Sequence, residues 1–136
     1  MEIAWFTDTW LPNRDGVVTS LLSFKKILEE KGHNIYIFAP GDESREEENI
    51  FFYKSKVFRP YPQYKFPSFL SIFSRRTKKL IKKIKPDIIH SHTPGIMGIH
   101  AILACNSCDA PLIFTFHTFV DDSVSVSYTH LRAHET

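Results

Sequence analysis

Cysteine is scarce in this chain, and its scarcity excludes most cysteine chemistry. The 136 residues include two cysteines, Cys105 and Cys108. A structural zinc site would need two further ligands at matching spacing, and there is no second cysteine pair. The pair also closes a helical pattern, whereas a redox motif opens a helix after a strand. We expect two partly buried, reduced thiols.

Long apolar runs and a strong net charge are missing as well. No stretch approaches the roughly 20 apolar residues that span a bilayer. The first apolar run, Ile3 to Phe6, is too short for a signal peptide and has no basic flank. The formal net charge is only +2, which argues against a chain that binds nucleic acid over its whole surface. These absences predict a cytoplasmic protein.

Hydrophobic periodicity predicts one βαβ unit at the start of the chain. Residues 2–7 form a short apolar run typical of a strand buried on both faces, and a polar loop follows over 8–16. Helical spacing then runs from Val17 to Gly32, where glycine suits a helix end. A second apolar strand over 35–39 completes the unit.

The alternation of strands and helices continues and indicates a doubly wound, mostly parallel α/β sheet. We expect 42–49 to be a solvated loop and 59–68 to be an aromatic, Pro-rich connection. The further elements expected are strands over 50–58, 87–92 and 112–117 and helices over 69–85 and 96–105.

The last residues do not continue this pattern. Residues 123–136 show neither helical nor strand period, and the end of that segment resembles translated sequencing-adaptor sequence. The alternative is a native frayed terminus. We therefore predict an incomplete Rossmann-like domain over 1–122 and a foreign, disordered tail over 123–136.

Three segments rich in functional side chains should meet at one edge of the sheet, because ligands of doubly wound folds bind beyond the carboxyl ends of the strands. They are 8–16, 90–95 and 117–118. In the first, Gly16 precedes a helix, so backbone N–H groups could hold a phosphate there; a glycine needed only for a tight turn is the equal alternative. Neither a dinucleotide fingerprint nor a Walker motif is present.

The histidines at this edge of the sheet are candidates for binding a substrate rather than for coordinating a metal. We place His90 and His92 on opposite sides of the sheet, which makes a shared metal unfavourable, and we interpret His90 as a satisfied core histidine. His92 and His117 end strands, where a neutral imidazole could hold a hydroxyl or a phosphate.

The helix expected over 69–85 is amphipathic and basic. Phe73, Thr77, Leu80 and Ile84 form one stripe, which indicates packing on the sheet. We expect the basic side chains to face an anionic membrane, a partner favoured over nucleic acid because the aromatic residues lack the spacing of a base-stacking platform. These membrane-facing residues are Arg75, Arg76, Lys78, Lys79, Lys82 and Lys83.

The chain contains four motifs in order, which are 3–12 with 15–18, 32–41, 86–94 and 116–118. Together they resemble family 4 glycosyltransferases, above all those that glucosylate diacylglycerol or mannosylate phosphatidylinositol. The resemblance implies the acceptor-side, N-terminal half of a GT-B fold and a retaining transfer from a nucleotide-sugar that requires neither metal nor cofactor. It implies that the enzyme acts in the cytoplasm or peripherally on the inner face of the cell membrane.

The same resemblance implies roles for particular residues. The loop of Asp15, Gly16 and Val17 would approach the donor diphosphate, and His117 would be the catalytic residue near the transferred sugar. Three further residues would line the acceptor cleft, namely Asp8, His92 and Thr118. Because the family's donor-binding half is absent from this chain, we expect the 136 residues alone to be inactive.

Two other functions remain open. One keeps the family but gives it a soluble sugar acceptor, which would leave the basic helix without a membrane to contact. The other is a flavodoxin-like binding domain, against which the long first loop speaks. Fold alone does not separate these readings.

Overall fold

A computed structural model describes residues 1–12, 15–58, 61–67, 75–116 and 127–131. In these residues strands and helices alternate as the hydrophobic pattern predicts. The strands are β1 (Glu2–Phe6), β2 (Asn34–Gly41), β3 (Arg45–Glu47), β4 (Ile50–Phe58), β5 (Tyr61–Pro67), β6 (Ile88–Ser91), β7 (Leu112–Phe116) and β8 (Ser127–Leu131). The helices are α1 (Gly16–Glu30), α2 (Arg76–Ile84) and α3 (Ile96–Cys105).

The first strand lies at the centre of the sheet. The strand order is β3-β4-β2-β1-β6-β7-β8, and the five inner strands pair in parallel. From β1 the chain proceeds outward through β2 and β4 on one side, and through β6 and β7 on the other. The order therefore reverses between β1 and β6, which is the switch point where doubly wound sheets bind ligands.

The side chains of β1 lie alternately on the two faces of the sheet. Ile3 and Trp5 pack into a core with α1, whereas Ala4 and Phe6 pack into a separate core with α2 and α3. Both cores are apolar, as expected for parallel strands that helices cover on either side. The helix α1 therefore lies across the sheet from α2 and α3.

The expected α/β doubly wound sheet is confirmed, and several elements have the predicted bounds. Strand β4 and helix α3 begin and end where the periodicity placed them. Helix α1 ends just before Gly32, whose φ of +91° lies in the left-handed region that favours glycine.

Antiparallel strands were the main error of the sequence interpretation. The acidic segment 42–49 contains β3, whose charged residues are exposed at the edge of the sheet beside β4. The connection over 59–68 contains β5, which pairs with the end of β4. Charged residues and prolines are tolerated on edge strands, so their presence did not exclude a strand.

The tail also contains a strand. Residues 127–131 form β8, antiparallel to β7, so the expectation of disorder is wrong for them. Pairing with β8 satisfies the backbone groups on the outer side of β7, and β8 gains the same hydrogen bonds, which is the physical reason for order there. The foreign origin of 123–136 stays a prediction, which the sequence of the source gene beyond Asp122 would test.

Candidate functional site

The loop after β1 ends in a capped helix. Asp15 precedes α1, and its carboxylate accepts hydrogen bonds from the Val18 backbone N–H at 2.9 Å and the Thr9 hydroxyl at 2.7 Å. Asp15 therefore neutralises the positive end of the helix itself. Gly16 is exposed, and a Cβ added to it would meet no atom within 4 Å. A ligand can approach the backbone at Gly16 and the half-buried Val17, while Asp15 holds the loop.

Asp8, at the carboxyl end of β1, caps a second helix. Its carboxylate accepts hydrogen bonds from the backbone N–H groups of Gly95 at 2.8 Å and Met97 at 2.9 Å, at the start of α3. The Thr93 hydroxyl donates to the same carboxylate, and the Asp8 N–H donates to that hydroxyl oxygen at 2.8 Å. Asp8 thus ties the loop after β1 to the loop after β6 across the switch point.

The close approach of Asp8 explains why glycine occupies position 95. A Cβ on Gly95 would lie 2.7 Å from the Asp8 carboxyl carbon, a distance that real Cβ atoms do not show. Any larger residue would push the carboxylate away from the N-terminus of α3. The sequence interpretation missed this arrangement, because the capping side chain lies 87 positions before Gly95 and leaves no local signal.

The two histidines of β6 lie together, contrary to the sequence interpretation. Residues two apart on a strand share a face, and the rings of His90 and His92 are in contact, with centroids 3.8 Å apart and planes tilted by 31°. The His90 Nε2 atom hydrogen-bonds the Thr115 hydroxyl at 2.7 Å, so His90 is satisfied as predicted. His92 is buried, with 2% of its surface exposed, and its ring contacts Trp5 edge to face.

A small pocket opens at this edge between the ends of β1 and β2. It has a volume of about 40 Å³, enough for a few water molecules but not for a sugar. Residues from the loop after β1 and from the β2–β4 region line it, namely Asp8, Thr9, Trp10, Leu11, Pro12, Pro40, Gly41, Asp42, Arg45 and Phe52. Asp8 and the loop after β1 therefore border a concavity on the predicted side of the sheet.

Two predicted site residues, His117 and Thr118, lie outside the described residues. The strand that leads to them, β7, ends at Phe116 beside β6. In the parts of the chain that the structure describes, no group of three His, Cys, Asp or Glu side chains could hold a metal ion.

Helix α2 carries the predicted basic face, with one exception. Thr77 is buried, and Leu80 and Ile84 pack against the core, so the apolar stripe is confirmed for these three residues, while Phe73 lies outside the described residues. Ile81, beside the stripe, is buried as well. Arg75 and the lysines at 78, 79, 82 and 83 are exposed.

Arg76 does not belong to that exposed face. Its guanidinium donates to the carbonyl oxygens of Phe52 at 2.5 Å and Arg45 at 3.0 Å, and it lies 4.6 Å from the centre of the Tyr53 ring. The prediction that Arg76 faces a membrane is therefore wrong. The carbonyl groups near the sheet edge offer this donor-rich side chain closer partners than a membrane would.

A buried polar cluster joins α2 to α3. The hydroxyl groups of Tyr53 and Thr77 are hydrogen-bonded, and the Thr77 hydroxyl also contacts His100 Nδ1 at 3.0 Å. Burial, reinforced by the positive charge of Arg76, lowers the pKa of His100 from 6.5 to about 4. Burial also raises the pKa of Tyr53. Both groups are therefore neutral at physiological pH.

The cysteines behave as expected. Cys105 is buried and Cys108 is half-buried, and both are free thiols. Cys105 donates to the Ala110 carbonyl at 3.2 Å, and burial raises the pKa of Cys108. Within the described ranges, no helix is both long enough and apolar enough to cross a bilayer.

Comparisons with known proteins identify the family of this chain. The sequence model of Glycosyltransferase Family 4 matches residues 14–135. The chain is 31% identical to the alpha-monoglucosyldiacylglycerol synthase of Acholeplasma laidlawii, over 96% of this chain and 32% of that protein. It is 32% identical to the synthase of the same name from Streptococcus pneumoniae, over 91% of this chain and 28% of the relative.

Two further comparisons concern a mannosyltransferase and a solved structure. A GDP-mannose-dependent alpha-mannosyltransferase from Corynebacterium glutamicum is 27% identical over 88% of this chain and 30% of its own length. The crystal structure of Acinetobacter baumannii MurG superposes with a TM-score of 0.59 at 13% identity, over 88% of this chain and 36% of that one. The structural likeness concerns the fold alone. The chain spans about a third of the length of the curated relatives it matches.

Proposed function

This chain belongs to Glycosyltransferase Family 4, and we propose that it forms the acceptor-side part of an enzyme that transfers a sugar from a nucleotide-sugar to a membrane lipid. Its fold is the Rossmann-like half of a GT-B architecture. Family membership removes the flavodoxin-like alternative. What is left to decide is the acceptor, a lipid or a soluble sugar.

The exposed lysines of α2 are the main evidence for a lipid acceptor. Four lysines occupy one helix of nine residues, and within the described residues no carboxylate pairs with any of them. Lysines four residues apart on a helix repel one another in water, whereas beside anionic lipid each nearby lysine contributes about 1 kcal/mol of attraction. The names of two relatives, which are synthases of a glucosyl-diacylglycerol, agree with this choice. We therefore place the enzyme on an anionic membrane surface, at the inner face of the cell membrane.

The donor in this proposal approaches from the edge of the sheet at the switch point. The backbone of Gly16 and Val17 meets its diphosphate, and Asp15 keeps the loop in place by capping α1. Asp8 fixes the neighbouring loop by capping α3, and the buried His92 supports that loop from below. His117 and Thr118 follow β7 toward the same edge, where His117 acts on the transferred sugar.

Most of the catalysis in this proposal comes from outside the 136 residues. Stabilisation of the leaving diphosphate is expected to be the largest contribution, and the resemblance assigns it to the other half of the family's fold. The transfer then retains the anomeric configuration and needs neither a metal nor a protein base. We accordingly expect no turnover from the purified 136-residue chain.

A chimera tests this function. Residues 1–122 would replace the matching segment of the Streptococcus pneumoniae synthase, and transfer of radiolabelled sugar to diacylglycerol in vesicles would be measured. We expect the chimera to be active. A folded chimera that binds donor but transfers nothing would contradict the proposal.

Within the same chimera, His117→Ala tests the catalytic residue. We expect at least about a 100-fold fall in kcat, the usual scale for removing a group that stabilises charge in the transition state. His33→Ala is the matched control. His33 lies just before β2, at the amino ends of the strands and therefore on the side of the sheet away from the site, and its ring is hydrogen-bonded to the N-terminal amine. Equal effects of the two substitutions would remove His117 from the catalytic role.

A further inference from the structure

Helix α3 is a surface helix with an apolar outer side. Its ten residues include no Asp, Glu, Lys or Arg, and its one ionisable imidazole, His100, is buried. Ile102 and Leu103 nevertheless have 45% and 40% of their surface exposed. A helix that is apolar around its whole circumference is normally covered on every side.

This apolar face adjoins the lysines of α2. The contact between Thr77 and His100 fixes the two helices side by side on one face of the sheet. Leu103 lies one turn beyond His100 on α3. Farther along, Lys82 of α2 and Ser107, just after α3, line the same groove. The outer sides of the two helices therefore form one surface, cationic on α2 and aliphatic on α3.

Helix α1, on the other face of the sheet, also has exposed apolar side chains, but charges of both signs surround them. Phe24 and Ile27 are exposed to 50% and 48%. Acidic and basic side chains surround them, and Lys25 forms an ion pair with Glu29 at 2.9 Å. Mixed charge around scattered apolar residues is ordinary protein surface. An uncompensated cationic helix beside an aliphatic one is instead the pattern of an interfacial membrane contact.

We propose that Ile102 and Leu103 of α3 insert into the interfacial region of an anionic bilayer while the α2 lysines bind the lipid phosphates. The inference rests on the membrane contact of the proposed function and extends it to a second helix. Charge complementarity selects the occupant, since an anionic lipid surface satisfies the lysines and covers the aliphatic side chains in one contact.

Vesicle flotation tests the insertion directly. The 136-residue chain would be mixed with vesicles of 30% phosphatidylglycerol in phosphatidylcholine, beside the double variants I102S/L103S and F24S/I27S. These pairs are matched in exposure but lie on opposite faces of the sheet. We expect I102S/L103S to weaken partitioning about tenfold and F24S/I27S to change it less than about twofold. Circular dichroism establishes that all three chains are folded.

A second measurement reports depth rather than affinity. In L103W, the new indole should be quenched by lipids brominated on the acyl chain, while the native Trp5 and Trp10, exposed to 2% and 4%, stay shielded. The same substitution would be made in the chimera. Absence of quenching in both chains overturns insertion, and quenching in the isolated chain alone shows that another part of the longer enzyme covers α3, which overturns it as well.

The outcomes also separate this inference from the function on which it rests. If the chain binds anionic vesicles in a salt-sensitive way and I102S/L103S binds equally well, insertion is overturned and the contact of the α2 lysines is retained. No binding of the wild-type chain to anionic vesicles overturns both membrane contacts. Sugar transfer by the chimera is measured independently, so the glycosyltransferase function can survive either result.

Discussion

The helices α2 and α3 pack side by side on one face of the sheet, but they are held in place by different means. The N-terminus of helix α3 is capped by the carboxylate of Asp8, just after β1, and its buried side packs on the sheet through Met97, Ala101 and Ala104. Among the described residues no side chain caps helix α2, whose first turn is basic and whose Arg76 bonds to carbonyl groups of the sheet edge. The difference indicates that α3 belongs to the framework of the site, whereas α2 gives up stability for its surface charge.

The largest expected effect tests how α3 is held. Asp8→Ala removes the acceptor of two backbone N–H groups and the Thr93 hydroxyl. Leaving these groups without the carboxylate should lower the free energy of unfolding by about 4 kcal/mol. Urea denaturation would measure it. Arg75→Ala is the matched control at the N-cap of α2, where the described residues show no side-chain capping hydrogen bond, and we expect a change below about 0.5 kcal/mol. Similar losses in both variants would mean that the two helices are held alike.

Acid should weaken the contact between the helices. The folded-state pKa of His100 is about 4, below its ordinary 6.5, so the unfolded chain binds the proton more readily. Stability is complete above pH 6.5 and falls between pH 6.5 and 4, by about 3 kcal/mol from this group. His100→Gln should flatten the dependence of the unfolding free energy on pH in that window. An unchanged slope in the variant would show that the buried histidine is not the cause.

A smaller loss is expected at the anchor of α2. Arg76→Met keeps the apolar stem but removes two hydrogen bonds to carbonyl groups and the contact with the Tyr53 ring. The unfolding free energy should fall by about 2 kcal/mol. Lys79→Met, an exposed position on the same helix, serves as the control and should be nearly neutral in denaturation. If both substitutions left the unfolding free energy unchanged, Arg76 would not anchor α2, and the prediction that it faces a membrane would stand again.

The smallest effect has the opposite sign. Lys78 and Lys79 lie in the first turn of α2, where positive charge opposes the helix dipole, and four residues before Lys82 and Lys83, which repel them. Replacing both by glutamine should raise the unfolding free energy by about 0.5 kcal/mol and weaken binding to anionic vesicles about 30-fold. Thermal denaturation and flotation measure the two quantities. A variant that loses stability would contradict the view that α2 gives up stability for charge.

The sequence predicted the parallel part of the fold well, because each buried strand is a local apolar run and each amphipathic helix carries its own period. The prediction failed where a partner strand decides the structure. The charged β3, the Pro-containing β5 and β8 are strands because of antiparallel pairing, which leaves no local signal in the sequence. The cap between Asp8 and Gly95 depends on the tertiary fold. The pairing of His90 with His92, by contrast, followed from the strand period and was misread.

The acceptor preference of the chimera distinguishes a lipid acceptor from a soluble one, because the donor half comes from the relative and the choice of acceptor depends on this chain. Diacylglycerol in anionic vesicles and a soluble disaccharide would be offered together with one radiolabelled nucleotide-sugar. We expect the label in the lipid fraction, and we expect it to be lost when the anionic lipid is diluted. Label in the soluble sugar, independent of vesicles, would contradict a membrane lipid as the acceptor.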